Sequence, residues 1–348
     1  MRKLAIFTGC ALLIAGLQVP TAIASAASEG EPPTPAAEAY AQGQAHLASR
    51  TADSLQAAIE DFERATAAEA TFAPAYAGLA EARALLYDYP GARQAALRAL
   101  ELDERLAAAH AVLGFSLLHG DWDWAGAERE LRRAVELDPQ RTTPHLWYAI
   151  VLEAAGRSEE AVQAARKAVE LQPGEANVRA GLGYRLYWAR RYDEAVTELT
   201  AASKLDPDLD TAHYFIGRAR VQQGQSHFKE ARAAFDSARE ISPKDSNLTS
   251  AEAYLDALSG KRKQAEKVLS ELERHANRGL PFSSQIAGLY TALGNKVKAL
   301  GWLERAREHH EGALVWIKID PRFDSLRNEP RFKAILREMG LAENAAAR

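Results

Sequence analysis

Small apolar residues recur at a regular distance along most of the chain. Eight alanines follow one another at intervals of 34, 35, 34, 34, 36, 34 and 34 residues. Seven positions after each alanine comes a second one, except in the seventh case, where leucine replaces it. A fixed period of this length predicts stacked helix pairs, because each pair buries its apolar side only against its neighbours. The eight alanines are Ala58, Ala92, Ala127, Ala161, Ala195, Ala231, Ala265 and Ala299.

Each period contains two helical patterns, and in four periods the second pattern stops at a proline. The sequences VELDP, VELQP, SKLDP and REISP place these prolines at 139, 173, 207 and 243. Proline has no N–H to donate and pushes the preceding residue out of the helical region, so these positions predict helix ends. In the second to eighth periods the first helix has a small residue of its own, which lets the two helices approach closely. These residues are Ala80, Gly114, Ala149, Gly183, Gly217, Ala253 and Ala287.

With these features the chain resembles the tetratricopeptide repeat family. The resemblance rests on the period, on Leu182-Gly183, on RRYDEA at 190–195 and on the LDP closures, and it covers about 36–312. It implies an all-α fold: a right-handed α-solenoid of about eight antiparallel helix pairs with a C-terminal capping segment. In finer detail the chain resembles the repeat modules found C-terminal to bacterial signalling domains, namely kinases, winged-helix regulators and cyclases.

The first 26 residues are typical of a signal peptide. Arg2 and Lys3 precede an apolar run at 4–19, and AIASA at 22–26 provides small residues for cleavage. We therefore expect a periplasmic or secreted protein. The alternative is an uncleaved membrane anchor that holds the protein facing the periplasm, although the run is shorter than the ~20 apolar residues that span a bilayer.

The net charge narrows the expected partners, and the single cysteine bears on how the N-terminus is processed. The formal net charge of −4 provides no basic field for nucleic acid, so we expect no nucleic-acid partner. Cys10 is the chain's one cysteine, and it would be removed with the signal peptide. Because Cys10 follows Thr8-Gly9, lipidation of this residue is a further alternative.

The same features divide the chain into five predicted parts. Residues 1–26 are the signal peptide, 27–36 a flexible linker, 37–312 the repeat solenoid, 313–341 the cap and 342–348 a frayed tail. A cap is expected because the last repeat of a solenoid has an apolar face without a neighbour. The residues expected to cover that face are Trp316, Ile319, Phe323, Leu326, Phe332 and Leu336.

The segment DWDWAGAERELRRAVELDP at 121–139 raises the question of a metal site. Asp121, Asp123 and Gly126 match the first, third and sixth positions of a calcium-binding loop. Arg132 stands at the twelfth position, where such a loop needs a glutamate, so we interpret the segment as a helix corner capped by Asp121 or Asp123. No Cys/His grouping or G-x-S-x-G motif occurs elsewhere in the sequence. The sequence therefore predicts no metal site, no small-molecule cofactor and no enzyme.

The function predicted from the sequence is a non-enzymatic interaction scaffold. In a solenoid of helix pairs the first helices line the concave face, and the resemblance implies that this groove holds a protein or extended peptide. Exposed aromatic residues with arginine and asparagine suit such a groove; the alternative is that the tyrosines pack between repeats. The alternative functions are a membrane-anchored signalling or envelope-assembly subunit and an enzyme with an unrecognised site on the concave face. The expected partner-binding residues are Phe115, Asn177, Tyr184, Tyr187, Tyr214, Arg218, Asn247 and Tyr254.

Overall fold

A computed structural model of the protein describes residues 33–49 and 51–341, and within these residues the only regular structure is helical. In this described part of the chain, seventeen α-helices follow one another and are joined by short turns. They are α1 (Pro35–Ser49), α2 (Ala52–Ala68), α3 (Ala73–Leu85), α4 (Tyr89–Leu102), α5 (Ala107–Ser116), α6 (Trp124–Leu137), α7 (Thr142–Ala154), α8 (Ser158–Leu171), α9 (Ala176–Trp188), α10 (Tyr192–Leu205), α11 (Asp210–Gln222), α12 (Phe228–Ile241), α13 (Ser246–Leu258), α14 (Arg262–Ala276), α15 (Ser283–Ala292), α16 (Lys296–Glu308) and α17 (Pro330–Glu338).

The helices pack as consecutive pairs, as α1 does with α2 and α9 does with α10. The fold class is therefore an all-α solenoid of helix pairs, as predicted. The described residues form two compact units, 33–148 and 149–341. The predicted linker extends two residues too far, because Pro35 already begins α1.

The predicted signal peptide and the predicted C-terminal tail lie outside the described residues. Among the helices of 33–49 and 51–341, none combines the length and the apolar character needed to cross a bilayer.

The regularly spaced alanines lie where the two helices of a pair meet. All eight are completely buried. Opposite them, a Cβ added to Gly114 would lie 2.6 Å from Cγ of Leu131 and 3.0 Å from the carbonyl oxygen of Ala127. The glycine thus leaves room both for the alanine that begins the second helix and for the larger side chain four positions later. The same arrangement recurs at Gly183, where an added Cβ would lie 2.5 Å from Cγ of Leu199.

The four proline stops are confirmed. The helices α6, α8, α10 and α12 each end two residues before the proline, at Leu137, Leu171, Leu205 and Ile241. Each residue between helix and proline donates its backbone N–H to the carbonyl of an alanine four positions earlier, such as Asp138 to Ala134 at 3.0 Å. The closing residues therefore satisfy one of the carbonyls that a helix end leaves unpaired.

The DWDW segment is a helix corner, as predicted. Oδ1 of Asp123 accepts the backbone N–H of Gly126 at 2.9 Å and so caps α6, while Asp121 pairs with Arg93. A π-helical turn, Leu117–Asp121, precedes Trp122, which has a φ of +54°. A π turn accommodates an additional residue within a helix, which explains how the longer repeat keeps its packing.

Replacing Asp123 with alanine is expected to destabilise the first unit by about 1 kcal/mol, because the N-cap hydrogen bond of α6 is lost. Urea denaturation followed by circular dichroism measures this change. Asp121→Ala is the control, since it breaks only an exposed ion pair and should have an effect below about 0.5 kcal/mol. Equal effects of the two substitutions would contradict the assignment of Asp123 as the cap.

Candidate binding site on the first helices of the second unit

After its eighth helix pair the chain turns back and contacts helices that lie more than 130 residues earlier in the sequence. Trp316 Nε1 donates a hydrogen bond to Oε2 of Glu153, 163 residues before it, and Asp324 pairs with Arg190, 134 residues before it. Residues 312–327 contain two 3₁₀ turns, Gly312–Trp316 and Pro321–Leu326. We call residues 312–327 the return segment. Its contacts lie on the first helix of successive pairs in the second unit.

The first of these contacts is built on a buried ion pair. Nε of Arg185 in α9 lies 3.0 Å from Oε1 of Glu153 in α7, and neither side chain is more than 1% exposed. The indole of Trp316 hydrogen-bonds the other carboxylate oxygen of Glu153 at 3.1 Å. Burial raises the pKa of Glu153 to about 7, against the opposing effects of Arg185 and the Trp316 indole. The pair therefore links α7, α9 and the return segment in one polar cluster.

Aromatic contacts continue the same surface. The ring of Trp316 stacks on Trp188 at the end of α9, with centroids 5.8 Å apart and planes 6° from parallel. The guanidinium carbon of Arg218 in α11 lies 5.0 Å from the Trp188 ring and 4.7 Å from the Tyr187 ring. An arginine at these distances is attracted by the ring faces, so Arg218 is held beside the stacked tryptophans.

Asp320 brings a buried carboxylate to this arginine. Its Oδ2 accepts hydrogen bonds from Nε and Nη2 of Arg322, at 2.9 and 2.6 Å, and its Oδ1 lies 3.9 Å from Arg218. Burial opposes ionisation of Asp320, but the charges of Arg322 and Arg218 outweigh burial and hold its pKa below the ordinary value. Asp320 is thus an ionised acid enclosed by two arginines, one from α11 and one from the return segment itself.

The far end of the return segment is held by a more exposed pair. The two guanidinium nitrogens Nη1 and Nη2 of Arg190 each donate to one oxygen of Asp324, both at 2.6 Å. The two side chains are 44% and 43% exposed. Arg190 has a φ of +64° and lies directly after α9, where the chain turns into α10. Water reaches this contact, unlike those at Trp316 and Asp320.

Four of the residues predicted to bind a partner lie around the return segment. Tyr214, Arg218 and Tyr254 line a cavity together with Arg322, and Tyr187 packs under Arg218. The cavity is only 20 Å³ in volume, enough for about one water molecule. Burial raises the pKa of Tyr254 to about 12. These four residues face a polypeptide segment, and that segment belongs to the chain itself.

The other four predicted residues lie elsewhere. The expectation of exposed aromatic side chains is wrong for Phe115, Tyr184 and Tyr187, all of which are buried. Tyr184 packs on Phe215 of the next first helix at 4.4 Å, and Phe115 packs on Trp147 in the first unit at 4.6 Å. Adjacent first helices therefore use these rings to pack against each other, which was the alternative interpretation.

The two asparagines lie in the first turns of their helices, away from the Trp316 stack. Asn247 is buried in α13 and accepts a hydrogen bond from Nε2 of Gln285 in α15 at 3.0 Å. Asn177 is half-buried in α9. The eight predicted residues therefore do not form one continuous site.

Two family models described as tetratricopeptide repeat match the chain. One matches residues 209–318, and the other matches 118–183 and 152–221. The chain belongs to the tetratricopeptide repeat family. Membership supports the coarse functional prediction of a protein–protein interaction scaffold. No curated protein sequence matches this tetratricopeptide repeat protein.

Three solved structures of similar fold are distant from this chain in sequence. A monomeric mutant of IFIT1 with Gppp-AAAA has a TM-score of 0.59 at 15% identity, covering 78% of this chain and 70% of that one. The human IFIT1 dimer with PPP-AAAA has a TM-score of 0.55 at 14% identity, covering 76% and 72%. TTC0263, a thermophilic tetratricopeptide repeat protein of Thermus thermophilus, has a TM-score of 0.48 at 20% identity, covering 53% and 99%. These likenesses concern the fold alone.

In this tetratricopeptide repeat protein, the second half of the segment predicted to be the cap packs on the last helix pair. Phe323, Leu326 and Phe332 are buried, the turn Pro321–Leu326 packs on α15 and α16, and α17 packs on α16. As expected, α17 starts at Pro330 and stops before Gly340. Ile319 and Leu336 are only half-buried, because the neighbouring Ile317 and Ile335 point into the core instead.

Trp316, which was expected to cover the last repeat, stacks on Trp188 and hydrogen-bonds Glu153. Sequence reasoning also missed the residues that receive the return segment. The relevant signals were the sequences WARR at 188–191 and DPRFD at 320–324, which carry complementary charges. Nothing in the sequence pairs these two stretches, because DPRFD lies after the last repeat and has no counterpart one period away. The missed residues are Glu153, Arg185, Trp188, Arg190, Asp320, Arg322 and Asp324.

Proposed function

We propose that this protein is an exported, non-enzymatic scaffold that binds a protein or extended peptide segment on the first helices of its second unit. One observation carries the proposal: the surface made by α7, α9 and α11 already holds residues 312–327 of the chain through a tryptophan stack and two ion-paired acids. A surface that binds such a segment in its own chain has the chemistry to bind one from another chain.

The polarity of this surface favours a protein ligand. Its aromatic rings provide contact area with little loss of conformational entropy, and its arginines select acids. The titratable groups that we find there are paired with one another, as Glu153 is with Arg185, and so they do not form an open catalytic set. The net charge of −4 favours protein over nucleic acid as the partner.

Export rests on the sequence of residues 1–26. Mass spectrometry of the mature N-terminus distinguishes cleavage near Ala26 from retention of 4–19 as a membrane anchor. Retention would support the second candidate, a membrane-anchored signalling or envelope-assembly subunit.

A photo-crosslinking amino acid at Tyr254 tests partner binding, because this half-buried side chain lines the cavity beside Arg322. We expect light-dependent adducts between position 254 and a second polypeptide in envelope preparations, with the attachment site identified by mass spectrometry. The same amino acid at Val297, which is 72% exposed on α16, is the control and should give no such adduct. Adducts confined to the chain's own residues 312–327 would contradict binding of a second polypeptide.

A further inference from the structure

We infer that the return segment is an intramolecular ligand that competes with partner segments presenting an aromatic residue followed by acids four and eight positions later. This inference rests on the proposed function and specifies its ligand. The pattern is that of Trp316, Asp320 and Asp324 in the return segment. The receiving residues are Trp188, Arg218 and Arg190, on α9, on α11 and directly after α9.

The spacing of these contacts makes them a recognition pattern. Trp316 stacks on Trp188, Asp320 lies 3.9 Å from Arg218, and Asp324 pairs with Arg190 at 2.6 Å. The chain between them is held by side chains, not by continuation of a helix, since only short 3₁₀ turns occur in it. Another segment with the same three side chains at the same spacing meets the same three partners.

A basic residue two positions after the first acid completes the pattern. Asp320 is buried and accepts hydrogen bonds from the backbone N–H, Nε and Nη2 of Arg322, which belongs to the return segment. Arg218 is the other arginine that pairs with Asp320, and its Nη2 lies 3.9 Å from Oδ1 of Asp320, too far for a hydrogen bond. A buried acid with incomplete pairing is costly, so a competing segment supplies its own arginine or lysine at this place.

The return segment is held unequally along its length. Leu314, Val315 and Ile317 are buried, whereas the Arg190–Asp324 pair is almost half exposed to water. Exposed ion pairs contribute little to stability, so the Arg190–Asp324 pair is the most easily broken contact of the segment. Phe323 and Leu326 beside Asp324 remain buried against α15 and α16.

The short connection between α16 and the return segment, which we call the tether, explains why the return segment normally occupies the surface made by α7, α9 and α11. Only residues 309–311 separate it from α16, and the carboxylate of Glu311 accepts the backbone N–H groups of Ser283 and Ser284 at 3.1 and 3.3 Å. A short tether of this kind gives an effective concentration of roughly millimolar or more. A partner segment of equal intrinsic affinity therefore binds at micromolar concentration only after the intramolecular contact is weakened.

The test uses a fluorescent peptide with the sequence of residues 312–329 and the full chain. Asp324→Asn in the protein weakens the intramolecular contact at an exposed position, so we expect fluorescence anisotropy to show about two- to fivefold tighter peptide binding than to the unaltered chain. A peptide in which Asp320 and Asp324 are both replaced by asparagine should bind the same variant at least tenfold more weakly. Trp316→Ala in the protein is a second weakened variant, checked for folding by circular dichroism.

A matched control is available on α16. Glu304 accepts two hydrogen bonds from Arg331, at 2.8 and 2.7 Å, in a pair about as exposed as Arg190–Asp324. Glu304→Gln therefore breaks a comparable pair that does not touch the return segment, and peptide affinity should remain that of the unaltered chain.

Equal peptide affinity of the unaltered chain and both weakened variants, or no binding to any of them, overturns the inference. Crosslinking of a second polypeptide at Tyr254 together with this result leaves the proposed function intact and rejects only intramolecular competition. Acid-dependent peptide binding without any crosslinked partner supports the return segment as an intramolecular ligand and counts against the proposed function.

Discussion

Gly183→Leu is expected to destabilise the second unit by about 3 kcal/mol. A Cβ at Gly183 would lie 2.5 Å from Cγ and 2.8 Å from Cδ2 of Leu199, which is itself completely buried. Neither α9 nor α10 can accommodate a leucine there without separating, and overfilled cores lose about 1–3 kcal/mol and occasionally more. Thermal and urea denaturation followed by circular dichroism measure the loss.

Gly301→Ala is the matched control for this prediction. Gly301 also lies inside a helix, but the nearest atom to an added Cβ is Nη2 of Arg331, at 3.9 Å. Alanine should therefore fit and stabilise α16 by about 0.5–1 kcal/mol, because glycine is the poorer helix former. An unfolding transition of Gly183→Leu identical to that of the unaltered chain would refute the packing scheme.

Glu153→Gln is expected to cost about 3–5 kcal/mol, since it leaves the charge of Arg185 buried without a counter-ion. The guanidinium cannot give up its proton, so the folded protein has no means of removing that charge. Arg185→Met should cost less, because Glu153 can take up a proton once its partner is gone. Denaturation at pH 7 of the two single variants and of the double variant Glu153→Leu with Arg185→Met measures the asymmetry.

The repeat architecture could be predicted because it depends on neighbours. Ala161, Ala195 and Ala231 have the same surroundings one period apart, so a local rule about small residues recurs and becomes visible. The helix stops at Pro139 and Pro173 are also local, since proline acts on its own helix and on the residue before it. Every such prediction concerned contacts within one repeat or between adjacent repeats.

The contents of the candidate site could not be predicted in this way. The stack of Trp316 on Trp188 and the Asp324–Arg190 pair occur once each, between stretches that have no common period. Trp316 was assigned to the cap because an apolar residue near the last repeat has that role in most solenoids. The sequence predicted a separate partner at Tyr214, Arg218 and Tyr254, whereas the structure places Arg322 of the chain's own return segment beside them.

The distance along the chain between the two sides of this contact has a consequence for biosynthesis. Asp324 is synthesised 134 residues after Arg190. At about 5–20 residues per second, synthesis of these residues takes roughly 7–27 s. During that interval the helices α9 and α11 exist as nascent chain while Trp188 and Phe215 still lack the residues that later cover this surface. Nascent-chain chaperones therefore have a defined period in which this aromatic surface is open to them.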